Sequence, residues 1–164
     1  MQPTRIELLQ RMAVFGAIRD DTLQFLLEQA RGVTVRAGSF FFREKDEARS
    51  MFVLEAGRAA VVKGWQGRDF VVHEMGAGDC FGEMSLMDLF PRSAGVRAEA
   101  DCRALELTAG DLLHVCERDA EQFALFQMNI CREVCRRLRA TDELLFRLRM
   151  GEKGSGRESL FLAA

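Results

Sequence analysis

Short runs of β-favouring residues follow one another between residues 32 and 107, and glycine-containing turn signals separate them. The runs are Val33-Thr34-Val35, Phe40-Phe41-Phe42, Met51-Phe52-Val53-Leu54, 59–62, 70–73 and 96–107. Branched and aromatic side chains fit the pleated surface of a sheet, whereas glycine supplies the turns between strands. Many short strands at regular spacing are typical of a closed jelly roll. The pattern therefore predicts a mainly β fold with flanking helices and a β-roll over residues 31–108.

The first 30 residues carry a different pattern, in which apolar residues recur at helical spacing. Ile6, Leu8 and Leu9 form one group, and a second group lies between Leu23 and Leu27. Asp20 or Asp21 is suited to cap the second helix, because its carboxylate can accept from the free N–H groups of the first turn. The sequence therefore predicts N-terminal helices within residues 1–30.

Two capping residues indicate helices after the roll. Thr108 is predicted to begin a short helix that ends near Glu117, and Asp119 a long helix that ends near Met150. Residues 109–150 are therefore predicted to be C-terminal helices. Residues 151–164 begin with a glycine- and serine-rich stretch and are predicted to be a flexible tail.

The long helix carries two columns of mostly apolar residues with a period of seven. The columns are Ala124, Cys131, Leu138 and Leu145, and Gln127, Val134, Thr141 and Leu148. This is the a/d pattern of a coiled coil. Because a helix of 30 residues spans about 45 Å, it outruns a small roll. We therefore expect a parallel homodimer through this seam, and packing against other domains is the alternative.

Composition narrows the classes of function. A net charge of −2 supplies no general attraction for nucleic acid or for an anionic membrane. The longest N-terminal apolar run, residues 12–18, is too short to span a bilayer and is followed at once by charged residues. Neither a membrane segment nor a signal peptide is expected. The five cysteines have no paired spacing, which favours a reducing cytoplasm over a disulfide framework.

Polar chemistry concentrates in residues 78–86, Gly-Asp-Cys-Phe-Gly-Glu-Met-Ser-Leu, and in residues 91–98, which follow closely. Glycines let backbone N–H groups approach a phosphate, and an arginine fork such as Arg92 matches phosphate oxygens. A carboxylate such as Glu83 can accept from a sugar hydroxyl. The set suits a ribose phosphate.

This segment resembles the phosphate-binding cassette of the cyclic nucleotide-binding domain, the module of catabolite-activator regulators, protein kinase A regulatory subunits and cyclic-nucleotide-gated channels. The family pattern F-G-E-x-[small]-L, a spacer and P-R-[S/A]-A-x-V-x-A is matched by FGEMSL, MDLF and PRSAGVRA. The cassette spans residues 78–98, and the wider resemblance runs from about Leu8 to about Leu148. It implies a cyclic nucleotide-binding roll followed by a long helix, with cAMP or cGMP as the ligand.

The resemblance also implies a set of ligand-binding residues. They are Phe81, Gly82, Glu83, Met84, Ser85, Arg92, Ser93, Ala94 and Thr141. Arg92 is expected to pair with the cyclic phosphate and Glu83 to accept from the ribose 2′-hydroxyl. The alternatives are a surface arginine held by Asp88 and a first-turn glutamate favoured by the helix dipole. The hydroxyls of Ser85 and Ser93 either bind the phosphate or cap the local turns. Candidates for an apolar wall against ribose and base are Val72, Met84, Leu86 and Val96.

In regulators of the catabolite-activator type, the resemblance makes the long helix both a dimer seam and a lid over the base. The base-contacting hydroxyls follow an R-R-L-x-x motif, which is Arg-Arg-Leu-Arg-Ala at residues 136–140 here. Thr141 matches the first hydroxyl, whereas Asp142 replaces the serine that often follows. Ser93 bears on the choice of base, and a serine there, as in bacterial cAMP-binding members, favours cAMP over cGMP.

One turn departs from the family. Lys45-Asp46 stands where the family commonly has Gly-Asp. Because a lysine at positive φ costs about 1 kcal/mol, we expect this turn to adopt another conformation, away from the cassette.

Residues for catalysis do not come together in the sequence. His73 and His114 lie in different predicted elements, and no Cys/His spacing matches a zinc site. Cys131 and Cys135 are four residues apart on one helix and could supply half a metal site, but small buried residues beside a seam are the favoured interpretation. The sequence therefore predicts no enzyme activity, no metal and no cofactor.

Only residues 151–164 follow the long helix, at the point where bacterial regulators of this type carry a DNA-binding domain. We therefore expect no DNA-binding domain, but a stand-alone cyclic nucleotide sensor that signals to an unidentified protein effector. The alternative is an interaction module of the same fold with an empty pocket. Glu83 and Arg92 argue against it, because neither suits an empty apolar pocket.

Overall fold

The computed structural model describes residues 5–150 and contains two four-stranded antiparallel sheets. The strands are β1 (Arg31–Val35), β2 (Phe40–Phe42), β3 (Ser50–Ala56), β4 (Ala59–Trp65), β5 (Arg68–Met75), β6 (Cys80–Phe81), β7 (Gly95–Ala98) and β8 (Cys102–Thr108). One sheet has the order β1-β8-β3-β6 and the other β2-β7-β4-β5. The predicted β-roll is confirmed, although the run at residues 96–107 is two strands and β6 was not predicted.

Helices precede, interrupt and follow the roll. They are α1 (Arg5–Gln10), a short 3-10 helix (Ala13–Phe15), α2 (Asp20–Gln29), α3 (Glu83–Asp88), α4 (Ala109–Arg118) and α5 (Ala120–Arg149). The predicted tail at 151–164 lies outside the described residues. Within residues 5–150, the helices lack the combination of length and apolarity that crossing a bilayer requires.

Two of the three predicted helix caps are confirmed. Thr108 and Asp111 form a capping box at the start of α4, and the Asp119 side chain accepts from the backbone N–H of Gln122 at the start of α5. The cap predicted for α2 is wrong, because Arg19 precedes the helix and makes no side-chain cap. Both acidic residues of that prediction instead lie in the first turn, where a negative charge is favoured.

The hydrophobic core has two parts. One joins α1, α2, α4 and the first half of α5 to the sheet that contains β3 and β8, with Phe15, Leu107 and Ile130 fully buried. The other fills the roll, where the Phe52 and Phe81 rings stack with centroids 5.3 Å apart. Stacked aromatic pairs add stability beyond the area they bury. Phe81 lies within the cassette and directly precedes Gly82, so this second core anchors the cassette to the roll.

The turn at Lys45 corrects the expectation that it would avoid positive φ. Lys45 has φ 72°, and local hydrogen bonds hold it there. The Lys45 N–H donates to the carbonyl of Arg92 at 2.8 Å, and the Arg92 N–H donates to the carbonyl of Asp46 at 2.9 Å. The Asp46 carboxylate also accepts from the Arg43 N–H at 2.7 Å. The turn is therefore tied directly to the cassette instead of lying away from it.

The exposed stripe of α5 differs in one column from the predicted seam. Residues 124, 131, 138 and 145 are exposed as expected, but Gln127 and Val134 are half-buried. Val134 packs against the core, because it lies on the side of α5 that faces the roll. We define the α5 stripe as the exposed residues Ala124, Met128, Cys131, Cys135, Leu138 and Leu145.

Candidate functional site

A cavity of about 450 Å³ lies between the cassette, the second sheet and α5. Every predicted ligand-binding residue lines it: Phe81, Gly82, Glu83, Met84, Ser85, Arg92, Ser93, Ala94 and Thr141. Of the proposed apolar wall, Val72, Met84 and Val96 line the cavity, whereas Leu86 packs against the helical core instead. The fold therefore brings together residues from the cassette and from a helix about 50 positions later in the chain.

Arg92 is buried, with 4% of its surface exposed, and is not the surface arginine held by Asp88 that the sequence left open. Its Nη1 donates to the carbonyl of Gly82 at 2.9 Å and its Nη2 to the carbonyl of Ser50 at 2.6 Å. The guanidinium lies over the Phe42 ring, with Cζ 4.0 Å from the centroid. Its buried Nε has no hydrogen-bond partner among residues 5–150. Asp88 instead accepts from the Phe90 N–H.

Burial lowers the pKa of Arg92, and the carboxylates of Glu106, Asp46 and Glu83 oppose this shift. An arginine nevertheless stays protonated in proteins, since its reference pKa lies so far above neutral pH. The side chain is therefore a positive charge held in the cavity by two backbone carbonyls and a ring. An anion that reached it would meet an N–H group with no competing partner.

Gly82 allows this arrangement. It has φ 79°, in the left-handed region, and precedes α3 directly. A Cβ at this position would lie 2.5 Å from Arg92 Nη1 and 3.4 Å from Cε1 of Phe42. Only glycine gives the main chain both this conformation and this close approach to the guanidinium.

Glu83 is almost completely buried, at 1% exposure, and forms an ion pair with α5. Arg137 Nη1 donates to its carboxylate at 2.6 Å. Arg137 Nη2 donates to the carbonyl of Cys80, and its Nε lies 3.3 Å from the Glu133 carboxylate. Glu83 is thus more than a first-turn glutamate, since its charge is paired across the cavity.

The pKa values of both partners of this ion pair are raised, but for different reasons. Burial raises the pKa of Glu83, and the nearby Arg137 charge only partly offsets this effect. Burial acts to lower the pKa of Arg137, but the charges of Glu83 and its neighbours outweigh it and raise that pKa. Glu83 is the more deeply buried partner, so the cost of removing water falls mainly on the carboxylate.

The remaining hydroxyls take different positions. Ser85 is buried in α3, whereas Ser93 is exposed at the rim of the cavity. The Thr141 hydroxyl donates to the carbonyl of Arg137 at 2.9 Å, so its oxygen lone pairs remain available to a hydrogen-bond donor.

Sequence reasoning did not assign six of the lining residues to the site: Phe42, Val61, His73, Val134, Arg137 and Leu138. The sequence did contain a signal for Arg137, because this residue belongs to the Arg-Arg-Leu-Arg-Ala motif at 136–140 and lies four residues after Glu133. Burial lowers the pKa of His73, followed by the nearby positive charge of Arg137. His73 therefore presents an uncharged ring to the cavity near neutral pH.

A larger groove of about 780 Å³ lies elsewhere, between α1 and the first sheet. The half-buried Glu55 of this groove is already paired with Arg5 at 2.9 Å and Arg103 at 3.4 Å. The smaller cavity is the better candidate site, because it is lined by the cassette residues and by Arg92, whose Nε has no partner among residues 5–150.

The fold is a roll of two sheets, and a cavity lies between its polar cassette and the C-terminal helix. These features are those of a roll that binds a small ligand. A sequence profile of the cyclic nucleotide-binding domain matches residues 32–119, more than half of the chain. The chain therefore belongs to the cyclic nucleotide-binding domain family.

Two relatives illustrate the similarity in sequence. A CRP-like cAMP-activated global transcriptional regulator of Mycobacterium tuberculosis is 25% identical over 140 residues, which cover 85% of this chain and 61% of the regulator. A cAMP-dependent protein kinase regulatory subunit of Neurospora crassa is 38% identical over 71 residues, which cover 43% of this chain and 18% of the subunit. The chain thus spans 61% or less of the length of these relatives.

Solved structures show the same fold. The catabolite activator protein of Thermus thermophilus superposes with a TM-score of 0.73 at 25% identity, covering 84% of this chain and 63% of that one. A cyclic nucleotide-binding domain from Methylobacillus flagellatus gives a TM-score of 0.77 at 19% identity, covering 87% and 81%. These matches confirm the predicted roll with its long C-terminal helix.

Proposed function

We propose that the cavity binds a cyclic mononucleotide with its phosphate at Arg92. The observation that carries this proposal is the buried guanidinium, whose Nε has no partner among the described residues. A buried cation without a carboxylate in its hydrogen bonds favours an anionic ligand, because the ligand would supply the missing charge and acceptors. Phosphate oxygens match a guanidinium fork in geometry.

The sugar and the base follow from this placement. Glu83 accepts from the ribose hydroxyl, and Arg137 holds its carboxylate in place. Val72, Val134 and Leu138 give the base an apolar surface, and Thr141 offers an acceptor oxygen at its edge. A phosphate near Glu83 would be repelled, which favours the sugar on that side of the cavity.

We favour cAMP over cGMP as the ligand. Two observations support this choice: Ser93 at the cavity rim, and the similarity to proteins named as cAMP-activated or cAMP-dependent. A chain with this site acts as a sensor without an enzymatic step. The five unpaired cysteines support a reducing, cytoplasmic setting.

The signal leaves the site through α5. Residues Val134, Arg137, Leu138 and Thr141 line the cavity from that helix, so a ligand contacts both the cassette and α5. A ligand that binds more tightly when α5 is closed over it shifts the population toward the closed state. The closed state then presents an altered surface to a protein effector.

A second copy of the chain is the proposed occupant of the α5 stripe. The stripe repeats with coiled-coil spacing, and identical stripes are self-complementary about a two-fold axis. Leu138 and Leu145 are 58% and 48% exposed. Exposure of two large apolar side chains on one face of a helix to water is unfavourable, and contact with a second copy would bury them. The expected assembly is a parallel homodimer.

Calorimetry with cAMP, cGMP and 5′-AMP tests the ligand. Arg92→Ala should weaken cAMP binding by about 100-fold or more, because the phosphate contact is desolvated. Arg97→Ala is the matched control, since Arg97 lies on β7 nearby and is paired with Glu99 at 2.9 Å outside the cavity. Folding of both variants is verified by circular dichroism. Equal cAMP affinity of the wild type and Arg92→Ala would exclude the phosphate role, and no binding of any nucleotide would favour the empty interaction module.

Light scattering tests the homodimer. Leu145→Asp should convert the dimer to a monomer, because it replaces an apolar d-position side chain of the stripe with a charge. Leu113→Asp is the control, since Leu113 is similarly exposed on α4, away from the stripe. A monomeric wild type at high concentration would exclude this assembly while leaving the ligand proposal intact.

A further inference from the structure

The α5 stripe contains two thiols, at Cys131 and Cys135, and both are exposed free cysteines. This corrects the sequence-based interpretation of buried small residues. Residues four apart on a helix are separated by about 6 Å along the axis and about 40° around it. The thiols therefore lie one turn apart, on either side of the centre line of the stripe.

The correction to the seam decides where these thiols would lie in a dimer. With Gln127 and Val134 turned toward the roll, Met128, Cys135 and the exposed Asp142 take the a positions, and Cys131, Leu138 and Leu145 take the d positions. Cys131 and Cys135 thus occupy consecutive core layers. In a parallel two-fold dimer each core layer contains the same residue from both copies.

We propose that the dimer binds one divalent metal ion that prefers thiolate ligands, such as Zn²⁺, on its two-fold axis. The ligands would be Cys131 and Cys135 of both copies, and the inference rests on the homodimer proposed above. Four sulfurs at about 2.3 Å from Zn²⁺ form its preferred tetrahedral shell. Among residues 5–150, a single copy has no cluster of three or more potential ligands, so the site is complete only in the dimer.

Charge near the stripe also suits this ion. Four thiolates and one divalent ion carry a net charge of −2, which needs neighbouring positive charge. Arg132 and Arg139 flank the stripe on its solvent side and are exposed. Arg132 donates to the neutral amide oxygen of Asn129 at 3.0 Å, which leaves its charge uncompensated by that contact. Two copies would place four guanidinium groups around the site.

The test uses the full chain, reduced with a phosphine and titrated with Zn²⁺ and, as a spectroscopic probe, Co²⁺. We expect one ion per two chains, with the intense visible bands and thiolate charge-transfer absorption of tetrahedral Co²⁺–thiolate coordination. Cys131→Ser and Cys135→Ser should each weaken binding at least 100-fold. Cys116→Ser is the control, because this half-buried cysteine lies on α4, outside the stripe.

Light scattering on the same samples separates the failures. Three results would overturn the metal site and leave the dimer intact. They are a dimer that binds no metal, a stoichiometry of one ion per chain, and a metal affinity of Cys131→Ser equal to that of the wild type. An interchain disulfide that forms in air, with no metal bound by the reduced protein, would also overturn it. A protein that stays monomeric with and without Zn²⁺ would overturn both the dimer and the metal site, whereas cAMP calorimetry would still judge the ligand independently.

Discussion

Arg137 of α5 donates a 2.6 Å hydrogen bond to the carboxylate of Glu83, which lies 54 positions earlier at the start of α3. This ion pair joins the cassette to the long helix across the candidate cavity. Both side chains line that cavity, so a ligand that contacts Glu83 also acts on the bond that holds α5. The link provides a physical route from the site to the helix on which the proposed dimer depends.

Removal of one partner of this pair should be costly, and removal of both much less so. Arg137→Gln should lower the free energy of unfolding by about 3 kcal/mol, because it leaves the Glu83 charge buried without its partner. The double variant Glu83→Gln/Arg137→Gln should recover most of that loss. Urea denaturation of the wild type, both single variants and the double variant measures the coupling. Additive effects within about 0.5 kcal/mol would show that the pair contributes no coupling.

The raised pKa of Glu83 predicts a specific pH dependence of stability. Because burial favours the protonated carboxyl in the folded state, Glu83 stabilises the fold most below its unfolded pKa. This contribution should fall as pH rises from about 4 through the raised folded pKa. The unfolding free energy of the wild type minus that of Glu83→Gln, measured from acid to neutral pH, isolates the effect. A difference that rises over this range would contradict the direction of the shift.

The sequence predicted the parts of the fold that depend on local patterns. Thr108 and Asp119 cap their helices as expected, because capping depends on a few neighbouring residues. Lys45 was mispredicted because its N–H donates to the carbonyl of Arg92, a residue distant in the sequence, and no local pattern reveals that contact at positive φ. Val134 was assigned to the seam because a seven-residue repeat cannot show which side of a helix faces the roll.

In the candidate site, too, the residues of a local motif were predicted, whereas contacts between distant elements were not. The cassette residues, including Gly82 and Arg92, were predicted because they form a contiguous motif. The Glu83–Arg137 pair was missed, since it depends on how α5 packs over the cassette and not on any local spacing. His73 was also missed, because one histidine in a strand gives no sign of the cavity beside it.

Asn129 should couple the N-terminal helices to α5. Its Nδ2 donates to the carbonyls of Gly16 at 2.9 Å and Val14 at 3.3 Å. Asn129→Ala should lower the free energy of unfolding by about 1–3 kcal/mol, because two carbonyls lose a buried donor. Hydrogen exchange should rise in residues 13–18 before the roll is affected. Arg132→Ala, which removes only an exposed donor to Asn129, is the control and should change little.

Gly82→Ala should disrupt the site without removing any functional side chain. The added Cβ would lie 2.5 Å from Arg92 Nη1, and the residue would keep φ near 79°, which costs a residue with a Cβ about 1–2 kcal/mol. The guanidinium must then move, so cAMP affinity should fall about tenfold or more, since 1.4 kcal/mol already corresponds to a factor of ten.

Gly76→Ala is the matched control for this change, because a Cβ there meets no atom within 4 Å and the backbone is not in the left-handed region. Calorimetry of both variants, with thermal unfolding as a measure of folding, separates displacement of Arg92 from general destabilisation. If Gly82→Ala bound cAMP as tightly as Gly76→Ala, the close approach of the main chain to Arg92 would have no part in holding the phosphate.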